Sequence, residues 1–420
     1  MTADLLIRRA DRLFPCAGPA PRRGEAQGRL DHVTDGAVAA RAGRIVFVGT
    51  TEACDRAVQP APGASIIDAR GCTVLPGFVD PHTHAVFAGD RRDELRRRLA
   101  GAAYGEIAAS GGGILATVRA TRAASEDDLV ALALPRLADM LRSGTTTCEI
   151  KSGYGLETQA EIRMLRAVRA LAARQPVRLV ATFLGAHEVP TEFRSDRRGY
   201  LDLVMRDMIP RVAAEGLADW CDVFCERGVY TPEESEEVLR AGLAHGLAAR
   251  VHADELGASG GSFVAARVGA RSADHLVFVP EAGMRAMAEA GVVATLLPTA
   301  SFYLKLGRFA PARALVDHGV PVALATDLNP GGGYSPSMPF AITLACFAMG
   351  MTVEEAVVAA TINAACALDL QAEVGSLEPG KRMDAVVVRG DLVDLLRVGS
   401  AAVGHVVAGG TVAVGATATA

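Results

Sequence analysis

Short apolar, β-rich runs recur along this chain, and the segments between them change character twice. From Pro76 to about Leu370, eight runs appear at 77–80, 145–150, 179–184, 222–224, 249–252, 272–274, 292–297 and 322–325. Between most of them lie stretches with helical periodicity, at 125–143, 157–173, 232–245 and 281–290. Strand–helix alternation of this kind predicts parallel βαβ units. Eight units over about 300 residues slightly exceed the ~250 residues typical of a (β/α)₈ barrel. A doubly wound sheet is the alternative, but no Gly-x-Gly-x-x-Gly follows the first run, so a dinucleotide-binding version lacks its fingerprint.

The two ends read differently. At the N-terminal end, 37–40 and 45–48 flank Ala42-Gly43, a hairpin signal, and 65–67 leads to 72–75. At the other end, 384–388 and 404–414 are β-rich and follow the turn Pro379-Gly380. Neither end is large enough to stand alone, so the two are expected to pair. The expected fold is α/β, a (β/α)₈ barrel over 76–374 with a small β-sandwich formed jointly by 1–75 and 375–420.

Composition narrows the function. Half of the 420 residues are hydrophobic and 22% are charged, which excludes disorder over most of the length. Net charge is 43 − 48 = −5, and aromatic residues make up 5%, so neither a basic field nor a stacking platform invites nucleic acid or anionic lipid. Eight thinly spread cysteines contain no Cys-x-x-Cys and suggest a reducing cytoplasm. Asp4, Arg8 and Arg9 sit where a signal peptide needs an apolar core. The uncharged tail from 398 onward contains His405 and alternates like a strand, not a membrane span.

In barrels, chemistry sits at the C-terminal ends of strands. Here those ends carry Asp80-Pro-His82-Thr-His84, Gly185-Ala-His187, His252-Ala-Asp254-Glu255, Asp274-His275 and Thr326-Asp327-Leu-Asn329, so five of the nine histidines fall at these points. In an extended segment, residues i and i+2 share a face, so His82 and His84 can reach one ion. Alone, such a pair more often makes ordinary hydrogen bonds. With His252, His275 and Asp327 also at strand ends, a metal becomes the better reading. Nitrogen and carboxylate donors without thiolate suit Zn²⁺ or iron.

The segments PGFVDPHTH, VHADE, ADHL and ATDLNPG resemble the amidohydrolase superfamily, whose members join a metal-bearing barrel to a small β-sandwich made from both chain ends. AGDRRDEL, SGGGILATVRATRAAS, SGTTTCEIKSGYGLE, TFLGAHEVP and LLPTASFYL are similar to its imidazolonepropionase family, which acts in histidine degradation. The resemblance implies His82, His84, His252 and Asp327 as ligands of one Zn²⁺ or Fe²⁺/Fe³⁺ per chain. It implies Arg91, Tyr104, Tyr154, His187, Glu255, Asn329, Gly331 and Gly332 as the substrate-binding set, and Glu255, His275, Asp327 and His187 as catalytic. One departure is visible: Gly332 stands where the family usually carries Ser or Thr.

The implied reaction opens the ring amide of 4-imidazolone-5-propanoate with a metal-activated water and gives N-formimidoyl-L-glutamate. Glu255 is the candidate proton carrier, and Asp327 steers the water proton. His187 and His275 are candidate oxyanion donors. Arg91 offers a fork for the propionate, with Tyr154 adding a hydroxyl. Binuclear relatives carry a bridging lysine after strand 4. The corresponding Cys225-Glu226-Arg227 has none, and Lys151 follows strand 2, the wrong place for a bridge, so one metal is expected. The partner is a small molecule, with no nucleic acid or membrane, and a homodimer is the assembly to test. Two other readings are a superfamily deaminase of a heterocyclic base and a non-catalytic barrel. A deaminase has no evident need for Arg91, and a non-catalytic barrel is expected to lose ligands. Arg91, Arg92, Arg96, Arg97 and Arg98 could instead form one solvated run.

Overall fold

The computed structural model describes residues 1–102, 112–398, 402–415 and 418–419. Eight parallel strands form the central sheet: β1 (Phe78–Asp80), β2 (Thr145–Lys151), β3 (Arg178–Ala186), β4 (Trp220–Cys225), β5 (Ala248–Ala253), β6 (Ser272–His275), β7 (Val293–Leu296) and β8 (Val322–Leu324). Each pairs with its sequence neighbours. The seam between β8 and β1 is bridged just beyond the strand ends, where Asp327 N donates to His82 O (3.1 Å) and His84 N to Leu328 O (2.9 Å). That bridge places the segment after β1 beside the segment after β8.

The strands are buried along nearly their whole length, as parallel strands covered on both faces must be. The helices between them start where their sequences supply caps. Ser125 and Asp128 form a capping box for Glu126–Arg142; Thr231 and Glu234 do the same for Pro232–Ala244, which opens on a proline at its first position. Helix Glu281–Ala290 stops at Gly291, whose φ of 74° suits a left-handed cap.

The small β unit expected from the two chain ends is a nine-stranded sheet in which Ala385–Arg389 pairs antiparallel with Cys72–Pro76. Leu5, Ile7, Val38, Val74, Met383, Val387 and Val407 pack within one cluster, so neither end buries its apolar face without the other. The expected hairpin joins Val33–Arg41 to Arg44–Thr50, with Ala42 and Gly43 at φ 50° and 76° in the mirror-image turn that matches strand twist. Helix Thr51–Ala57, capped by the Thr50 hydroxyl, was not expected; seven residues are too few for a clear helical period.

Only Gly77 separates Cys72–Pro76 from β1. A Cβ there would lie 2.2 Å from Thr146 Oγ1, so only glycine allows the close approach. Asp384 fastens the junction: its carbonyl accepts from Gly77 N (2.9 Å), and its carboxylate accepts from Gly409 N (2.8 Å). Burial pushes the Asp384 carboxyl up to about 6, against the pull of Arg382. No helix among the described residues is long and apolar enough to cross a membrane.

Candidate active site

A cavity of about 330 Å³ opens at the C-terminal ends of the barrel strands and is lined by His84, Arg91, Tyr154, His187, His252, Glu255, His275, Asp327, Asn329, Gly331 and Gly332. Tyr104 lies outside the described residues. His82 sits fully buried at the base.

Three imidazoles converge there. Ligand-type atoms of His82, His84 and His252 all lie within 4.8 Å of one another. Asp327 Oδ1 approaches His82 Nε2 at 3.6 Å and His84 Nε2 at 3.7 Å. From behind, His82 Nδ1 meets Asp274 Oδ2 at 2.6 Å, and His252 Nδ1 meets Asp222 Oδ2 at 2.9 Å. A carboxylate oxygen only accepts, so the hydrogen-bonded His82 Nδ1 carries the proton and its Nε2 lone pair faces the cluster, while His252 Nδ1 contacts Asp222 without hydrogen-bond geometry. The Nε2 atoms of His82 and His252, and Nδ1 of His252, are buried without a hydrogen-bond partner. Buried polar atoms left so are uncommon and costly. Converging lone pairs beside a carboxylate fit a divalent metal.

The groups around this cluster are held away from their usual ionisation. Burial, reinforced by the Asp327 and Glu226 charges, pushes Glu255 well above the carboxylate range. Burial also raises Asp327, to about 7. His275 is held well below its usual value, again by burial first and then by His252. It stands 3.7 Å from Glu255 through Nδ1. His187 is pushed down to about 3 by burial and His252. Its Nδ1 lies 3.0 Å from the Gly153 carbonyl, which only accepts, so the neutral ring presents Nε2 as an acceptor. That differs from the oxyanion donor expected of His187.

At the other side of the cavity stands Arg91. It is 7% exposed, and the alternative of one solvated arginine run fails: Arg98 is buried too, while the Arg96 side chain is 74% exposed. Arg91 Nε and Nη2 each lie 2.7 Å from Glu94 Oε2, and the second Glu94 oxygen accepts from Gly113 N (2.8 Å). Arg98 braces the facing loop through Gly331 O (3.0 Å). That loop is built around Asn329, whose carboxamide donates to Asp327 O (2.7 Å) and accepts from Gly331 N (2.8 Å) and Gly332 N (2.6 Å). The Asn329 side chain therefore shapes the loop. A Cβ on Gly332 would meet Leu304 Cγ at 3.3 Å, so a hydroxyl residue there would crowd that leucine. Tyr154 is buried, and its loop is fixed by the Glu161 carboxylate, which accepts from the N–H groups of Gly153, Gly155 and Leu156.

Several residues here were given no site role from the sequence. Glu188, Phe224, Ile114 and Leu304 also line the cavity. Glu149, Lys151, Asp222, Arg250 and Asp274 form a fully buried charged layer beneath the histidines. Lys151 is the last residue of β2 rather than one that follows it. Burial opposes its charge, but Asp222 and Glu149 outweigh this and raise its pKa. A signal existed: charged residues inside otherwise apolar strand runs.

Residues 73–412 match the Amidohydrolase family. The chain is similar to an imidazolonepropionase of Symbiobacterium thermophilum, 52% identical over 386 residues, 92% of this chain and 91% of that one. It is similar to another from Geobacillus thermodenitrificans, 50% identical over 91% of both chains. Among solved structures it superposes on an adenosine deaminase from Xanthomonas campestris with bound zinc (TM-score 0.71, 19% identity, 99% of this chain and 93% of that one). It also superposes on the E. coli guanine deaminase (TM-score 0.72, 17% identity, 98% and 99%). At such identities these two likenesses are of fold.

Proposed function

We propose a division of labour within the cavity from one premise: the chain belongs to the amidohydrolase family and, within it, to the imidazolonepropionases. Its reaction is hydrolysis of the ring amide of 4-imidazolone-5-propanoate to N-formimidoyl-L-glutamate. The observation that carries the assignment of parts is that one cavity holds both the histidine cluster and a buried guanidinium, Arg91.

His82, His84, His252 and Asp327 would hold one Zn²⁺ or iron ion. When bound, such an ion polarises a carbonyl and makes water acidic enough to ionise near neutral pH. The remaining parts belong to the chain. Arg91, already steadied by Glu94, faces the propionate, and Tyr154 closes the same side. His187 accepts a ring N–H at Nε2, which selects the nitrogen-bearing edge of the ring. Neutral His275 donates to the carbonyl oxygen as charge develops there. Water oxygen bonds to the carbonyl carbon and the carbon–nitrogen bond breaks. Glu255 takes the water's proton and delivers it to the leaving nitrogen. Asp327 accepts a hydrogen bond from the attacking water and fixes its direction.

The barrel of residues 76–374 carries all of these groups, with 1–75 and 375–420 supporting it, and the enzyme works in the cytoplasm on a free small molecule. An ultraviolet assay with freshly made 4-imidazolone-5-propanoate tests the reading; failure to consume it would overturn the assignment.

A further inference from the structure

Beneath the histidines, one ammonium touches the supports of the segments that carry His82, His84 and His252. Lys151 Nζ lies 2.8 Å from Glu149 Oε1, 2.8 Å from Asp222 Oδ2 and 3.7 Å from Asp274 Oδ2, and all four side chains are fully buried. Each carboxylate leads to a different place. Asp222 meets His252 Nδ1 at 2.9 Å, and Asp274 meets His82 Nδ1 at 2.6 Å. The second oxygen of Glu149 accepts from Thr83 N (3.2 Å), between His82 and His84, and the Lys151 backbone N–H donates to Thr83 O (2.9 Å). Arg250 holds the far side, reaching Asp274 (3.1 Å), Pro81 O (2.8 Å) and Ala367 O (2.7 Å).

We propose that Lys151 is the positioning residue of the metal site: by holding Glu149, Asp222 and Asp274 in one arrangement, it aims His82, His84 and His252 together. The inference rests on the metal site assigned above. Its sign separates it from a simple charge role. A cation in the dry core repels a metal ion, so on Coulomb grounds alone its removal would tighten binding. Loss of orientation acts the other way, because partners that orient metal ligands are typically worth about 10- to 100-fold in affinity.

Lys151→Met leaves buried carboxylates unpaired and could prevent folding. The double variant Lys151→Met/Glu149→Gln removes one carboxylate with the cation and keeps the charge count. The test is titration of metal-free protein with Co²⁺ against a competing chelator, reading affinity and the visible ligand-field spectrum, with circular dichroism as the check on folding. The folded variant is expected to bind Co²⁺ about 10- to 100-fold more weakly than the parent, with an altered spectrum. A structural role alone would move the melting temperature but neither readout. Binding as tight as the parent's or tighter, with the same spectrum, overturns the inference. A parent protein that takes up no Co²⁺ overturns the metal site itself.

Discussion

Gly331→Ala should weaken substrate binding while leaving the fold intact. A Cβ built on Gly331 lies 2.1 Å from Arg91 Nη1 and 2.6 Å from Cζ. Ordinary contact is roughly 3.5 Å, so the guanidinium must retreat by about 1.4 Å. A hydrogen bond to the propionate at ordinary length would then be stretched beyond bonding distance. Charge-assisted hydrogen bonds contribute about 1.5–3 kcal/mol, so KM should rise roughly 10- to 100-fold. The turnover number should change little, because the propionate is remote from the reacting carbon and its binding is common to ground and transition states. Stability should change by no more than about 1 kcal/mol. Gly331 is not in the left-handed region, so alanine fits its backbone, and the atoms that move end a long side chain. Steady-state kinetics and a thermal melt on one preparation give all three numbers. Arg91→Met should raise KM similarly, and combining the two substitutions should add nothing, since alanine acts through Arg91. An unchanged KM in Gly331→Ala, or full additivity in the pair, would refute the reasoning.

Glu255→Gln should keep its metal and lose about 10²–10⁴-fold in kcat, since the amide retains a hydrogen bond but carries no proton; elemental analysis should find one Zn²⁺ or iron per chain in both proteins. Near-normal turnover would remove Glu255 from the mechanism, and two tightly held ions would contradict the reading of β4. Asp384→Asn should flatten the pH dependence of folding. With the folded carboxyl at about 6 and an unfolded value near 3.8, its stabilising contribution is complete below about pH 4 and is lost as pH rises through about 6. The loss amounts to about 3 kcal/mol, and urea unfolding of metal-free protein should show this slope in the parent and not in the variant. Equal slopes would mean that the buried Asp384 charge is compensated.

The barrel was legible because its strands are short β-rich runs separated by helical stretches, and all eight lie within a few residues of where the pattern put them. His82 and His84 stood out through their spacing, and Asp327 and His252 through position at strand ends. What the pattern could not supply is contact between distant segments. Arg91 sits among other arginines in sequence, and only folding separates it from exposed Arg96 and sets it against Gly331. The hydrogen bond that makes His187 an acceptor comes from Gly153, on a different loop. Lys151 looked unconnected to the metal because its role runs through Asp222 and Asp274, contributed by β4 and β6.

The most direct test of the central claim follows 4-imidazolone-5-propanoate by its ultraviolet absorbance while product and ammonia are measured in the same samples. The account predicts that absorbance falls, N-formimidoyl-L-glutamate accumulates in equal amount and no ammonia is released, and that chelator treatment stops the reaction until Zn²⁺ or Fe²⁺ is restored. An inert substrate, or ammonia released from a neutral heterocycle instead, would contradict it.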